Sequence, residues 1–325
     1  KRMHEITNTP FPDESRSLLD FPVPLDHDGM MRVLDLFTRR YDFLSVYNMG
    51  TSLHGRCIPM VRIGNEKASR TVLYVGTHHG MEWVTTVLLL RFINEYAEYY
   101  KSHRRIFNIN PEYLFRSRLV CVVPMLNPDG VELQIHGPGD APNRDKLMEM
   151  NHGSEDFTHW QANGRGVDLN HNYNAGFAAY KELERSSGIL GGAPTRYSGE
   201  YPESEPEVGA LANYLRFDDS VKMILTLHTQ GEEIYYTSDG KCPPKAKNIA
   251  RLLSQMSGYS LSEAMGMASF GGLTDWAIRE LNLPSFTIEC GKGVNPLPIS
   301  QFDEIYRDNL GILTTAATGV KDMGI

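Results

Sequence analysis

Residues 71–83 read TVLYVGTHHGMEW. The first seven are apolar and largely β-branched, the pattern of a short strand buried on both faces. The run passes directly into His78, His79, Gly80, Met81 and Glu82, and a helical pattern follows in VTTVLLLRFINEYAEYY (84–100). Two other buried runs end in the same way. VKMILTL (221–227) leads into His228, and PSFTIE (284–289) ends on Glu289. LVCVVPML (119–126) is a fourth such run, stopped by NPDG at 127–130, which reads as a turn.

Outward from these runs, FLSVYNMG (43–50) and CIPMVRIG (57–64) read as strands. Helical patterns occupy 27–41, 204–217, 243–259, 274–281 and 299–320. Ser204 with Glu207 three residues later reads as a capping box. Strands alternating with helices predict one α/β domain, with helices on both faces of a largely parallel sheet. Residues 1–26, rich in Pro, Asp and Ser, read as an extended lead-in, and 27–325 as the single folded domain. A long irregular stretch from Val131 to Pro202 contains GRGVDLNHNYNAGF (164–177) and reads as a functional loop.

In open α/β sheets, ligands gather beyond the carboxyl ends of strands. Three strands ending in ionisable residues therefore point to one site. His79 and Glu82 form an HxxE pair that one turn brings to one side, and a distant His228 completes a His₂Glu set. Three protein ligands with a fourth position open mark a catalytic zinc, because a structural site would be closed. His78 competes with His79 by position, since His78 and Glu82 form an HxxxE pair suited to a regular helix. Glu289 is the carboxylate placed to move protons.

Composition sets the outer bounds. The chain has 325 residues, 41% hydrophobic and 22% charged, enough for a substantial core. A net charge of -8 argues against nucleic acid or an anionic membrane as partner. No apolar run approaches the roughly 20 residues that span a bilayer. The first residues, KRMHEITNTPFPDESRS, lack the apolar core of a signal peptide, although position 1 is not Met and a removed leader stays open. The four cysteines include no CxxC pair and read as buried free thiols.

The order of motifs resembles the zinc metallocarboxypeptidases related to carboxypeptidase A. HGMEW (79–83), NPDG (127–130), GVDLNHN (166–172), YPESEPE (201–207), LH (227–228), GGLTDW (271–276) and FTIE (286–289) follow in sequence. The resemblance selects His79 over His78. It implies one zinc held by His79, Glu82 and His228, with Glu289 as general acid/base. It also implies a single domain with a mixed, roughly eight-stranded sheet.

The departures narrow the substrate. Family members bind a terminal carboxylate through the Asn-Arg pair of a DxNRN motif, but this chain reads Asp168-Leu169-Asn170-His171-Asn172. The arginine that polarises the scissile carbonyl falls at Gln161, with Arg165 close by. The tyrosine that closes over substrate falls at Met267, and the floor of the specificity pocket at Thr274. VLYVGTHHGMEW, LHTQGEEIYY and FTIECGKGVNPLP are similar to the bacterial γ-D-glutamyl-diamino acid peptidases. That branch implies a murein-derived peptide substrate. Asn170, His171 and Arg165 then stand as carboxylate partners, and Glu232 or Glu233 as an ammonium partner. A conventional carboxypeptidase, a zinc amidase or deacylase, and a non-catalytic wall-peptide binder are the rival expectations. No wall-anchoring module is recognisable, which favours a soluble cytoplasmic protein over a wall-associated one. Oligomeric state is left open.

Overall fold

The computed structural model describes residues 23–319; most of the expected lead-in, and Val320 at the end of the last expected helix, lie outside them. Eight strands form one sheet: β1 (Leu44–Thr51), β2 (Cys57–Gly64), β3 (Thr71–Gly76), β4 (Leu119–Val123), β5 (Val221–His228), β6 (Glu233–Tyr235), β7 (Ser260–Ser262) and β8 (Ser285–Glu289). Their spatial order is β1-β2-β4-β3-β5-β8-β6-β7. β4, β3, β5 and β8 run parallel, and so do β6 and β7, while β1–β2, β2–β4 and β6–β8 pair antiparallel. The sheet is therefore mixed. The largely parallel sheet read from the strand–helix alternation holds for the centre and for the β6–β7 edge pair, while β1–β2, β2–β4 and β6–β8 pair antiparallel.

Among the described residues ten α-helices flank it: α1 (His27–Arg40), α2 (Val84–Lys101), α3 (Pro111–Ser117), α4 (Pro128–His136), α5 (Arg144–Met150), α6 (Phe177–Ser186), α7 (Pro206–Phe217), α8 (Ala246–Ser257), α9 (Leu273–Leu281) and α10 (Phe302–Gly319). All six residues of β3 are buried. Alternate strand residues face opposite sides. Val72 and Tyr74 enter one core with α1, α2, α8 and α10. Leu73 and Val75 enter a second core with Val208 and Leu211 of α7 and Trp276 of α9. Helices cover both faces, as expected.

Three local readings are overturned. NPDG is not a turn but the start of α4: Asn127 is the N-cap, its side chain accepting from the Gly130 N–H at 2.9 Å, and Pro128 takes the first helical position. The stretch 131–202 is not one irregular loop, since it holds the end of α4 together with α5 and α6. The capping box at Ser204 does not form. Glu205 is the N-cap residue of α7 and makes no side-chain cap bond. The Ser204 hydroxyl donates instead to Glu205 Oε1 at 2.7 Å.

Glu207 is drawn into the interior, where its carboxylate accepts from the Leu53 N–H at 3.1 Å. Burial, with Asp129 and Glu205 nearby, pushes its pKa up to about 7 from 4.5. In the unfolded chain Glu207 ionises near pH 4.5, while the fold keeps it protonated until about 7. The unfolded state therefore gains stability across that window, and the fold loses about 3 kcal/mol from this group. Above pH 7 the loss is constant. Urea titrations of wild type and Glu207→Gln from pH 4 to 8 check this. The wild type should lose stability relative to the variant as pH rises, and a pH-independent difference would refute it.

Candidate active site

β3, β5 and β8 are neighbours and end on the same edge of the sheet. His228 and Glu289 are direct register partners across β5 and β8. Past β3 the chain makes one 3₁₀ turn over Gly80–Glu82, with the Glu82 N–H donating to the His79 carbonyl at 3.0 Å. That turn puts the HxxE pair on one side. It fits because residue 80 has no side chain: a Cβ there would collide with the Gly130 backbone. The Gly80 N–H donates to the Gln161 carbonyl at 3.0 Å. Asn127 Nδ2 donates to the His78 carbonyl at 2.9 Å and to the Ala162 carbonyl at 3.2 Å. The N-cap of α4 thus fastens the His79–Glu82 turn to the 161–162 segment.

His79, Glu82 and His228 converge, with one donor atom from each lying within 4.8 Å of the others. His79 Nδ1 is 2.9 Å from Glu82 Oε1, and His228 Nδ1 is 3.1 Å from Glu82 Oε2. The two Nδ1 atoms lie 3.3 Å apart. The outward nitrogens are engaged elsewhere. His79 Nε2 faces Asp168 Oδ1 at 3.0 Å, and His228 Nε2 faces the Thr226 hydroxyl at 3.2 Å. Protons placed on the outer nitrogens leave both inner ones free to ligate. Two imidazoles and one carboxylate in a buried pocket, each backed by an outer partner, fit a catalytic zinc. His78 does not join them. Its ring bonds the Tyr173 hydroxyl at 3.0 Å and the Thr226 hydroxyl at 3.3 Å.

Electrostatics follow from burial and charge. Burial alone would raise Glu82, but His79 and His228 hold it down at about 2. Burial opposes a charged His79, yet Glu82 and Asp168 push its pKa well above the usual range. Glu289 is driven well above the carboxylate range by burial and by the charges of Glu82 and Glu233. A bound cation opposes that rise. Glu289 has no side-chain hydrogen bond among the described residues, so both oxygens are available.

The other expected residues are distributed unevenly. Gln161 borders the metal turn; its Oε1 accepts from the Thr195 hydroxyl at 2.7 Å, and no described residue bonds its Nε2. Arg165 is committed elsewhere, its Nε donating to Glu205 at 2.8 Å. Asn170 Oδ1 accepts from the Leu273 N–H at 3.2 Å. His171 stacks on Tyr180 with centroids 4.0 Å apart, and its Nδ1 meets the Phe270 carbonyl at 2.9 Å. Burial lowers its pKa, so it is a neutral ring and no substitute for a permanent guanidinium. Thr274 and Thr287 share a hydroxyl bond of 2.8 Å. Met267 lies in a 3₁₀ turn against Ser187, with sulfur and hydroxyl 3.7 Å apart. Glu233 is the register partner of Glu289 on β6 and accepts from the Tyr235 hydroxyl at 2.5 Å.

Three positioning residues escaped the sequence reading. Asp168 stands inside the GVDLNHN motif, but nothing in the spacing ties it to His79, 89 positions away. Asn127 hid within a motif read as a turn. Asn295 Nδ2 donates to the Thr229 carbonyl at 2.7 Å and reaches Glu82 Oε1 at 3.4 Å, with no local signal. Asp168 also accepts from the Asn170 and Arg196 N–H groups at 3.1 and 3.2 Å. These bonds fix the carboxylate that faces His79. Asp168→Asn is expected to weaken zinc binding by about 10–100-fold, as removal of an outer-sphere partner does. Competition against a chromophoric chelator reads this, and unchanged affinity would show that Asp168 does not orient the ligand.

Comparison with other proteins agrees with this geometry. The model of the zinc carboxypeptidase family matches residues 30–311. Gamma-D-glutamyl-L-diamino acid endopeptidase 1 of Lysinibacillus sphaericus is 36% identical over 288 residues, 88% of this chain and 70% of its own length. Carboxypeptidase B2 of Homo sapiens is 27% identical over 281 residues, 79% of this chain and 60% of its own length. Bovine thrombin-activatable fibrinolysis inhibitor shares the fold, with a TM-score of 0.68 at 19% identity over 92% of this chain and 98% of that one. No helix among the described residues is long and apolar enough to cross a membrane. From the family match and the ordered motifs together, the chain belongs to the zinc carboxypeptidases and is a metallopeptidase that hydrolyses peptides.

Proposed function

We propose that this peptidase cleaves murein-derived peptides at the bond between the γ-carboxyl of D-glutamate and a diamino acid such as meso-diaminopimelate. The observation that carries the reading is a cavity lined by carboxylates with an arginine beside one of them. Thr287 and Glu289 alternate onto one face of β8, and Tyr235 and Glu233 are their register partners on β6. Two residues along a strand cover about 7 Å. Thr287 bonds Thr274, and beyond it Thr237, Asp239, Glu263 and Asp275 line a cavity of about 80 Å³. Arg279 flanks it, its Nε bonded to Ser238 at 2.7 Å and its guanidinium 5.6 Å from the Phe270 ring centroid. Carboxylates beside a guanidinium match a side chain that ends in both an ammonium and a carboxylate. The relative from Lysinibacillus sphaericus carries that specificity in its name.

In this reading His79, Glu82 and His228 hold one zinc. When bound, the metal supplies Lewis-acid polarisation and lowers the pKa of water. Glu289 takes the proton of the attacking water and returns it to the leaving amine. Gln161 Nε2 donates to the oxygen that gains charge. The test is hydrolysis of L-Ala-γ-D-Glu-meso-diaminopimelate against the L-lysine analogue and simple C-terminal dipeptides. The diaminopimelate peptide should be cut with the highest kcat/KM. Equal or better cleavage of simple dipeptides would return the chain to ordinary carboxypeptidase specificity. No cleavage of the γ-linked peptide would sink the reading.

A further inference from the structure

The motif that clamps a substrate carboxylate has a neutral ring, His171, where a guanidinium is expected. An arginine from a different segment, Arg196, has its backbone bonded to Asp168 of that motif and to Tyr180, on which His171 stacks. Residues 194–197 are bonded to both Gln161 and Asp168. The Pro194 carbonyl accepts from the Gln161 N–H at 3.0 Å, and Thr195 Oγ1 donates to Gln161 Oε1 at 2.7 Å. The Arg196 N–H donates to Asp168 Oδ2 at 3.2 Å, and the Asp168 N–H donates to the Tyr197 carbonyl at 2.7 Å. Tyr180, stacked on His171, donates its hydroxyl to the Arg196 carbonyl at 2.9 Å. The backbone of Arg196 is thus pinned among the residue orienting His79, the amide of Gln161 and the ring beneath His171. Its φ is +66°, in the left-handed region that few residues other than glycine adopt. Two bonds made by Arg196 itself and two made by Pro194 and Thr195 to Gln161 hold that backbone in place.

The side chain is available. Arg196 is exposed, and no described residue forms an ion pair, hydrogen bond or ring contact with its guanidinium. Arg165, by contrast, is already paired with Glu205. We propose that Arg196 binds the α-carboxylate of the residue that leaves as the amine, replacing in space the arginine missing from the DxNRN position. Asn170 and the ring of His171 form the wall beside it. This rests on the peptidase reading above, with the substrate's leaving residue carrying a free carboxylate. A guanidinium pairs bidentately with a carboxylate, and a charged contact of this kind discriminates strongly against a neutral amide.

The experiment compares wild type, Arg196→Ala and Arg196→Lys on the tripeptide L-Ala-γ-D-Glu-meso-diaminopimelate and on the same peptide amidated at the α-carboxylate of diaminopimelate. Arg196→Ala should raise KM on the free acid by about 10–100-fold with little change in kcat. It should cause no further loss on the amide, on which wild type is already weak. Arg196→Lys should recover part of the loss, and zinc affinity should be unchanged in both variants. Free-acid kinetics within about twofold of wild type, or an equal loss on acid and amide, would overturn the proposal. If wild type cuts ordinary C-terminal peptides and not the γ-linked one, the substrate reading fails alone. The same acid–amide comparison on those peptides then decides the role of Arg196. If neither is cut, binding of the free and amidated tripeptides to zinc-loaded wild type and Arg196→Ala decides it by the same contrast.

Discussion

Glu289→Gln should lower turnover by about 10²–10⁴-fold, the range expected when a general acid/base is removed. The substitution is close to isosteric. Glu289 makes no side-chain hydrogen bond among the described residues, so an amide there orphans no partner. It also removes a carboxylate that raises the cost of ionising the site, since burial and the charges of Glu82 and Glu233 already hold Glu289 above its usual range. The fold should therefore be retained and zinc affinity altered little. Product release measured by chromatography, zinc content by chelator competition and thermal unfolding together separate the roles. Loss of turnover with zinc retained identifies Glu289 as the proton carrier. Retained turnover would remove it from the chemistry, and loss of zinc would make it part of the metal site.

His228→Ala should have the second large effect, through the metal. His228 is 1% exposed, and its Nδ1 shares the Glu82 carboxylate with His79. Alanine leaves two ligands where a catalytic zinc needs three. Zinc affinity should fall by more than the 10–100-fold typical of losing an outer partner, so the effect should exceed that of Asp168→Asn. A ligand that binds only the folded state stabilises it by about 2.7 kcal/mol at 100 times its Kd. Added zinc should accordingly raise the unfolding temperature of wild type and leave the variant unmoved at the same concentration. A variant that still gains stability from zinc and still turns over would show that the metal is held elsewhere.

The candidate metal and proton-transfer residues were readable because they stand at or just past the ends of buried strands, and buried strands announce themselves by composition. His228 and Glu289 become partners simply because β5 and β8 run parallel side by side. The supporting residues were harder to read. Asn127 is fixed by its contacts with the carbonyls of His78 and Ala162, and Asn295 by those with Thr229 and Glu82. These are single hydrogen bonds across long sequence separations, and no periodicity records them. NPDG misled for a related reason. Asn, Pro, Asp and Gly favour turns, yet Asn followed by Pro is equally the start of a capped helix, and the helix that follows decides between them. Ser204 and Glu207 satisfied a capping pattern by spacing alone. Burial of Glu207 against Leu53 won over the local bond.

Sequence by itself determined the alternation of strands and helices, the HxxE turn, the distant histidine and glutamate at strand ends, and the loss of an arginine at His171. All of these are local patterns or single residue identities. Tertiary structure alone decided that His78 turns away to Tyr173 and that Asp168 orients His79. It also tied Arg165 to Glu205 and set Arg196 between Gln161, Asp168 and Tyr180. Side-chain partners depend on which loops the folded sheet brings edge to edge. That proximity is a property of the packed chain, and no short stretch of sequence carries it.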